Sequence, residues 1–199
     1  MEQVSWTRME EGTREDYEFL GSVFHDFTSA AHVDNLVRLL KALEGPNLGY
    51  QIDRYGHSLQ SASRALRNDE SLDLVIGALL HDVGDSIAPA NHSAMAASLI
   101  QPYVDDETHW VIKHHGLFQG YYYFHHLGGD RDARELFADH PYYESCVRFC
   151  AEYDQNCFDP DYPNVAIEDF IPMMEELFSR ESRVPGVAPL GMTADSPLP

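Results

Sequence analysis

An adjacent histidine and aspartate, His81 and Asp82, directly follow an apolar segment that begins at Leu72. Placing an ionisable pair at the end of a buried segment costs free energy, because both side chains lose contact with water. A metal ion bound by the pair offsets this cost, since a carboxylate beside a cation can remain ionised when buried. We therefore predict a catalytic role for His81 and Asp82, with a metal ion as their partner.

Other histidines and one aspartate lie where predicted helices end or face the core, so they could complete a metal site inside a helical bundle. These residues are His57, His92, the pair His114 and His115, and Asp154. Imidazole nitrogens suit iron, zinc and manganese, whereas carboxylates suit harder ions and can bridge two of them. A donor set of histidine and aspartate without cysteine favours iron or manganese over a structural zinc site.

Helical periodicity dominates the elements that must position these residues, and strong strand alternation is missing from the sequence. The apolar segment before His81 could be a strand by composition, but its length and its Gly-Ala-Leu-Leu content favour a buried helix. Residues 116–129 are rich in glycine and aromatic residues and are predicted to form a loop or short helix over the site. The remaining predicted helices cover residues 14–24, 31–43, 52–67, 91–100, 105–114, 131–138, 143–153 and 167–180. The predicted fold is therefore a single all-α bundle.

The charge of the chain limits its partners. Among 199 residues, 33 are acidic and 13 are lysine or arginine, which gives a formal net charge of −20. Nucleic-acid binding needs basic surface to contact phosphates, so it is not expected. Apolar runs of the roughly 18 residues that a membrane span needs are also missing, and the acidic N-terminus has no signal-peptide core. We predict a cytoplasmic enzyme that acts on a small-molecule substrate. Its oligomeric state stays open.

Three parts are predicted along the chain. Residues 1–44 form an N-terminal helical segment that packs on the core, and residues 45–182 form the domain that holds the metal site. Residues 183–199 contain recurring proline and glycine without periodicity, and are predicted to form a tail.

The order of these motifs resembles the HD-domain superfamily, whose helical metalloproteins include phosphohydrolases and a smaller group of oxygenases. The resemblance covers roughly residues 49–154. The stretches GYQIDRYGHSLQSA and ALLHDVG look most like the mixed-valent diiron oxygenases, the group of myo-inositol oxygenase and 2-amino-1-hydroxyethylphosphonate dioxygenase. These enzymes have a first-ligand motif H-x-x-Q-x-A, which His57, Gln60 and Ala62 match.

The resemblance implies two iron ions, an Fe(II)/Fe(III) pair, with dioxygen as a co-substrate. It divides six ligands between two irons: His57, His81, Asp82 and Asp154 for one, and Asp82, His92 and His115 for the other, with Asp82 as the bridge. His115 is preferred to His114 because it takes the family's position in the stretch IKHHG. The implied reaction removes a hydrogen atom from a carbon beside a bound hydroxyl, and oxygen insertion or bond cleavage follows.

Two alternatives to an oxygenase stay open. A two-metal HD phosphohydrolase with Mn or Mg would use a similar ligand set to activate water for attack on a nucleotide or another phosphate ester. Few basic residues lie near the motifs, which weakens this alternative, and the H-x-x-Q motif and the small size favour an oxygenase. A degenerate HD module for sensing or binding would have no need of all six ligands.

Departures from the family pattern suggest a different substrate from that of the phosphonate dioxygenase. Asn47 stands where that enzyme has a tyrosine that can occupy the iron, and Gln119 and Ala151 replace a lysine and an arginine that bind phosphonate. Asp85 stands where relatives have a lysine or a histidine. A dianionic phosphonate would therefore lack partners.

We predict instead a hydroxylated substrate, with or without an amine or quaternary ammonium group. Asp85 favours a cation or a hydroxyl donor, and the aromatic run 121–124 could bind an ammonium group through ring faces. The alternative for this run is a packed lid without ligand contact. The predicted substrate-binding residues are Asp85, Gln60, Gln119 and Tyr122.

Overall fold

A computed structural model describes residues 3–184 as a bundle of helices joined by loops and short 3₁₀ turns. The α-helices are α1 (Arg14–Lys41), α2 (Arg54–Arg67), α3 (Leu72–Leu80), α4 (His92–Ile100), α5 (Asp106–Tyr123), α6 (Tyr143–Phe149) and α7 (Ile167–Phe178). Over residues 3–184 the chain forms no β-strand, so the predicted all-α fold is confirmed. None of the helices in this part of the chain is long and apolar enough to cross a membrane.

Helix α3 lies at the centre of the bundle and packs against α2, α4, α5 and α7. Every residue from Asp73 to Leu80 is buried, as expected for a helix that is apolar on all sides. Ser71 caps its first turn by accepting a hydrogen bond from the Leu74 amide at 3.2 Å. The helix ends at Leu80, so the chain delivers the next two residues, His81 and Asp82, to the interior.

The predicted break after residue 24 is wrong, because α1 continues to Lys41. A capping box between Thr13 and Asp16 starts the helix, and residues 25–30 contain no glycine or proline that would end it. Thr28 is accommodated inside the helix by donating its hydroxyl to the Phe24 carbonyl at 2.8 Å.

Of the two alternatives predicted for residues 116–129, a loop or a short helix, the structure has mainly helix, because α5 continues to Tyr123 and a 3₁₀ turn, Phe124–Leu127, follows. Its glycines serve close packing. A Cβ at Gly116 would lie 2.7 Å from Ser93 Oγ on α4, and one at Gly120 would overlap the Phe124 ring. Smaller differences are that residues 133–137 form a 3₁₀ turn and that α6 passes into a π-helical turn at residues 150–154.

The two halves of α1 differ in burial. Leu36 and Leu40, in its second half, are buried in the core, and this helix packs mainly against α7. Phe24 and Phe27, in its first half, are 57% and 70% exposed. The three-part division of the chain stays a prediction, and residues 185–199 of the predicted tail lie outside the described residues.

His32 fixes α1 to its neighbours, since its ring lies 4.8 Å from the Phe178 ring and 5.7 Å from the Tyr103 ring. Burial lowers the pKa of His32, so the unfolded chain takes up this proton first as the pH falls below about 6.5. We expect His32→Phe to gain stability relative to the wild type when the pH is lowered from about 7.5 to about 5.5. Urea unfolding of both proteins at the two pH values measures the free energy of unfolding. The same difference between variant and wild type at both pH values would contradict the prediction.

Candidate metal centre

The carboxylate of Asp82, which is 2% exposed, lies among four histidine rings. Its Oδ2 atom is 3.1 Å from His81 Nε2 and 3.3 Å from His57 Nε2. Its Oδ1 atom is 3.3 Å from His115 Nε2 and 3.5 Å from His92 Nε2. Each carboxylate oxygen therefore faces its own pair of imidazoles, which creates two half-sites that share Asp82.

The first half-site consists of His57, His81 and Asp154 beside Asp82 Oδ2. Asp154 Oδ1 is 3.4 Å from His57 Nε2 and 3.9 Å from His81 Nε2, and the two Nε2 atoms are 3.1 Å apart. All three residues are buried, and their donor atoms converge closely enough to hold one metal ion. The second half-site consists of His92 and His115 beside Asp82 Oδ1.

The orientation of the rings fits metal binding. Three histidines place Nδ1 at 2.7–2.9 Å from a backbone carbonyl: His57 from that of Cys157, His81 from that of Ala78, and His115 from that of Ile112. A carbonyl oxygen can only accept a hydrogen bond, so Nδ1 carries a proton and Nε2 is the nitrogen that can bind a metal ion. Neutral imidazoles in this tautomer, with Nε2 pointing inward, are the form that binds metal ions.

Helix positions explain why these side chains meet. His57 lies on the inner face of α2, where the Phe158 ring stacks on it at 4.4 Å. His92 is the first residue of α4, and Gly84 allows it to approach, because a Cβ there would lie 2.8 Å from His92 Cα. Asp154 ends the π-helical turn after α6, a local irregularity that is frequent at functional sites.

The sequence left His114 and His115 as alternatives, and the structure separates them. His115 faces Asp82, whereas the His114 ring stacks on Trp110 at 4.2 Å and its Nδ1 donates to the Trp110 carbonyl at 2.8 Å. Neighbouring residues on a helix point about 100° apart, so only one of them can reach the centre.

The carboxylates and imidazoles around Asp82 stabilise a positive charge, either a proton or a metal ion, at the point where their polar atoms meet. Burial alone would raise the pKa of Asp82, but His81 and Arg54 outweigh it and hold the pKa well below its ordinary value. Burial alone would lower the pKa of His57, yet the hydrogen bonds that its ring donates to the Asp154 and Asp82 carboxylates raise the pKa to about 9. A metal ion would satisfy the same electrostatic demand by replacing that proton. The donor set therefore fits a divalent metal ion.

Arg54 is a residue of the centre that the sequence reasoning missed. Its Nε donates to Asp85 Oδ2 at 2.7 Å, its Nη2 donates to Asp82 Oδ2, and its guanidinium lies 5.9 Å from the rings of both Tyr50 and Phe158. The two carboxylates raise its pKa despite burial, which alone would lower it. The available signal was its position three residues before His57, on the same face of α2.

A cavity of about 680 Å³ opens onto the centre. Its lining includes the aromatic residues Tyr50, Tyr122, Tyr123, Phe124 and Phe158, the polar residues Asp82, His92, His115, Gln119 and Asp154, and the cations Arg54 and Lys113. Gln119 Nε2 donates to Asp154 Oδ1 at 3.0 Å, and its Oε1 is buried without a hydrogen-bond partner within residues 3–184.

Two of the four predicted substrate residues, Gln119 and Tyr122, line this cavity. Gln60 does not: it is fully buried, donates to the Asp159 carbonyl at 2.7 Å and accepts from the Asp159 amide at 3.2 Å. Its predicted substrate contact is thus replaced by a role in holding the loop after the π-helical turn. Asp85 is paired with Arg54, so its charge is already balanced within the protein.

Comparison with known proteins agrees with this geometry. A family model described as the HD domain matches residues 54–147, from the first residue of α2 into α6. The matched segment contains Asp82 and all four histidines of the centre, and Asp154 lies seven residues beyond it. No curated protein matches the chain closely enough to be reported as a relative. Residues 54–147 are therefore similar to the HD domain, a family whose members are generally metal-dependent enzymes.

Proposed function

We propose that this protein is a non-haem diiron oxygenase that uses O₂ to oxidise or cleave a small hydroxylated substrate. The observation that carries the proposal is the carboxylate of Asp82, whose two oxygens face separate histidine pairs. A carboxylate in this position suits a bridge between two ions. Four imidazoles and two carboxylates are a donor set that iron accepts readily, without thiolates.

Iron ions bound here would supply the electrons and the Lewis acidity for O₂ activation. The chain's own contribution is to position the substrate and to limit water. Gln119 Oε1 can accept a hydrogen bond from a substrate hydroxyl, because Nε2 of the same amide is fixed by Asp154. The aromatic side chains of Tyr122, Phe124 and Phe158 reduce the space for water around the reacting carbon.

The aromatic lining also supports an amine or ammonium group on the substrate, since ring faces attract cations. Tyr50, Tyr122 and Tyr123 all contribute to the cavity wall. Asp85 no longer supports this part of the proposal, because Arg54 already neutralises its carboxylate.

One observation favours the second candidate, a phosphohydrolase with Mn or Mg. The sequence reasoning found few basic residues near the motifs, but Arg54 and Lys113 both line the cavity. They could hold a phosphate ester while the ions and Asp82 position a water for attack on phosphorus.

Anaerobic loading with Fe(II), followed by partial oxidation, separates the two candidates. We expect two irons per chain and an EPR signal of a coupled Fe(II)/Fe(III) pair, which candidate hydroxylated amines perturb. Oxygen uptake with such a substrate would support the oxygenase. Phosphate release from nucleotides by the Mn-loaded protein, without oxygen uptake, would contradict it and support the hydrolase.

The adjacent histidines of α5 provide a matched pair of variants. His115→Ala removes a ligand that faces Asp82, so we expect it to lose at least one of two ions per chain and most of the activity. His114→Ala removes the stacking on Trp110 and the hydrogen bond to the Trp110 carbonyl, so it should retain both ions and lose a little thermal stability. Metal analysis and thermal unfolding of the two variants measure this, and equal metal loss in both would contradict the assignment.

A further inference from the structure

We infer that Asp85, anchored by Arg54, is a positioning residue that orients His92 in the second half-site. This inference rests on the two-ion centre of the proposed function, and it assigns a role to the ion pair of Arg54 and Asp85 beside that centre. It also replaces the substrate contact predicted for Asp85 from the sequence.

His92 is the least constrained of the four histidines. The other three are at most 2% exposed and each places Nδ1 within 2.9 Å of a carbonyl. The side chain of His92 is 25% exposed, and its Nδ1 lies 3.4 Å from the Pro89 carbonyl and 3.5 Å from Asp85 Oδ1. Asn91, which precedes it at the start of α4, makes no side-chain cap. The Nε2 atom of His92 also lies 3.1 Å from Ser93 Oγ, so on the Nδ1 side, among residues 3–184, the ring is held only by these two longer contacts.

Asp85 is the more strongly polar of these two partners, and it is fixed from the other side. Its Oδ2 accepts from Arg54 Nε at 2.7 Å while Oδ1 faces His92. Its backbone amide donates to the Asp82 carbonyl at 2.9 Å, which holds it in the turn that follows α3. Arg54 therefore links α2, through Asp85, to the first residue of α4.

A carboxylate that accepts the Nδ1 proton has two effects on a metal-binding imidazole. It selects the tautomer in which Nε2 carries the lone pair, and it makes Nε2 a stronger donor. At His92 this directs Nε2 toward Asp82 Oδ1, 3.5 Å away. The two half-sites then differ: the first is buried and held by short bonds to the backbone, and the second depends on Asp85.

The test is a titration of metal-free protein with Mn(II), followed by calorimetry and by EPR of the bound ions. We expect two ions in the wild type. Asp85→Ala should keep the first affinity and weaken the second by about 10- to 100-fold, the usual effect of losing an outer partner of a ligand. Asp85→Asn keeps an acceptor oxygen and should weaken it less.

A second readout follows the ring itself. At Zn(II) concentrations that saturate both half-sites, the ¹⁵N resonances of His92 should move in Asp85→Ala, whereas those of His57 and His81 in the first half-site should not. A weakened second affinity with unchanged His92 resonances would overturn the positioning role.

Asp73→Asn is the matched control, because Asp73 pairs with Arg180 at 2.6 Å at the opposite end of α3. It removes a comparable carboxylate and should leave both affinities unchanged. If the wild type binds two ions and Asp85→Ala binds the second ion with the same affinity as the wild type, this inference alone is overturned. A single ion in the wild type would overturn the two-ion centre and this role with it.

Discussion

Burial of the Asp82 carboxylate is the constraint on which the rest of this structure depends. An isolated carboxylate in this position would be strongly disfavoured, and the fold compensates by surrounding it with four imidazoles and one guanidinium. These groups come from α2, the end of α3, α4 and α5. The helices that build the core therefore also assemble the centre, and the apolar character of α3 is what forces Asp82 inside.

Access to the centre is asymmetric. His92, His115 and Asp154 line the cavity, whereas His57 and His81 do not. The open side of Asp82 is thus the side of the second half-site, where His92 is partly exposed. A substrate or O₂ that enters the cavity meets this half-site and the Asp154 edge of the first. The buried histidines stay behind and keep their bonds to the backbone, so binding need not disturb the first half-site.

Part of this arrangement could be predicted from the sequence. The near-continuous apolarity of residues 72–80, interrupted by Asp73 and Gly77, predicts a buried helix, and the resemblance to the HD-domain superfamily implies which histidines and aspartates meet. Arg54 could not be assigned in the same way, because its pairing with Asp85 joins residues 31 positions apart and depends on how α2 packs on α3. The extent of α5 could not be predicted for a related reason. Gly116 and Gly120 are required by close contacts with Ser93 and Phe124 in the folded chain, and they do not form a turn.

In the proposed function, the balance of charge at the cavity supports a hydroxylated substrate more than a phosphate ester. Arg54 lines the cavity, but its guanidinium is shared between Asp82 and Asp85, so its charge is largely balanced before any ligand arrives. Lys113 is exposed, where water screens its attraction for an anion. A phosphate dianion would thus depend mainly on the ions themselves. A hydroxyl would need only a bound ion and an acceptor such as Gln119 Oε1, which belongs to the amide held by Asp154 of the first half-site.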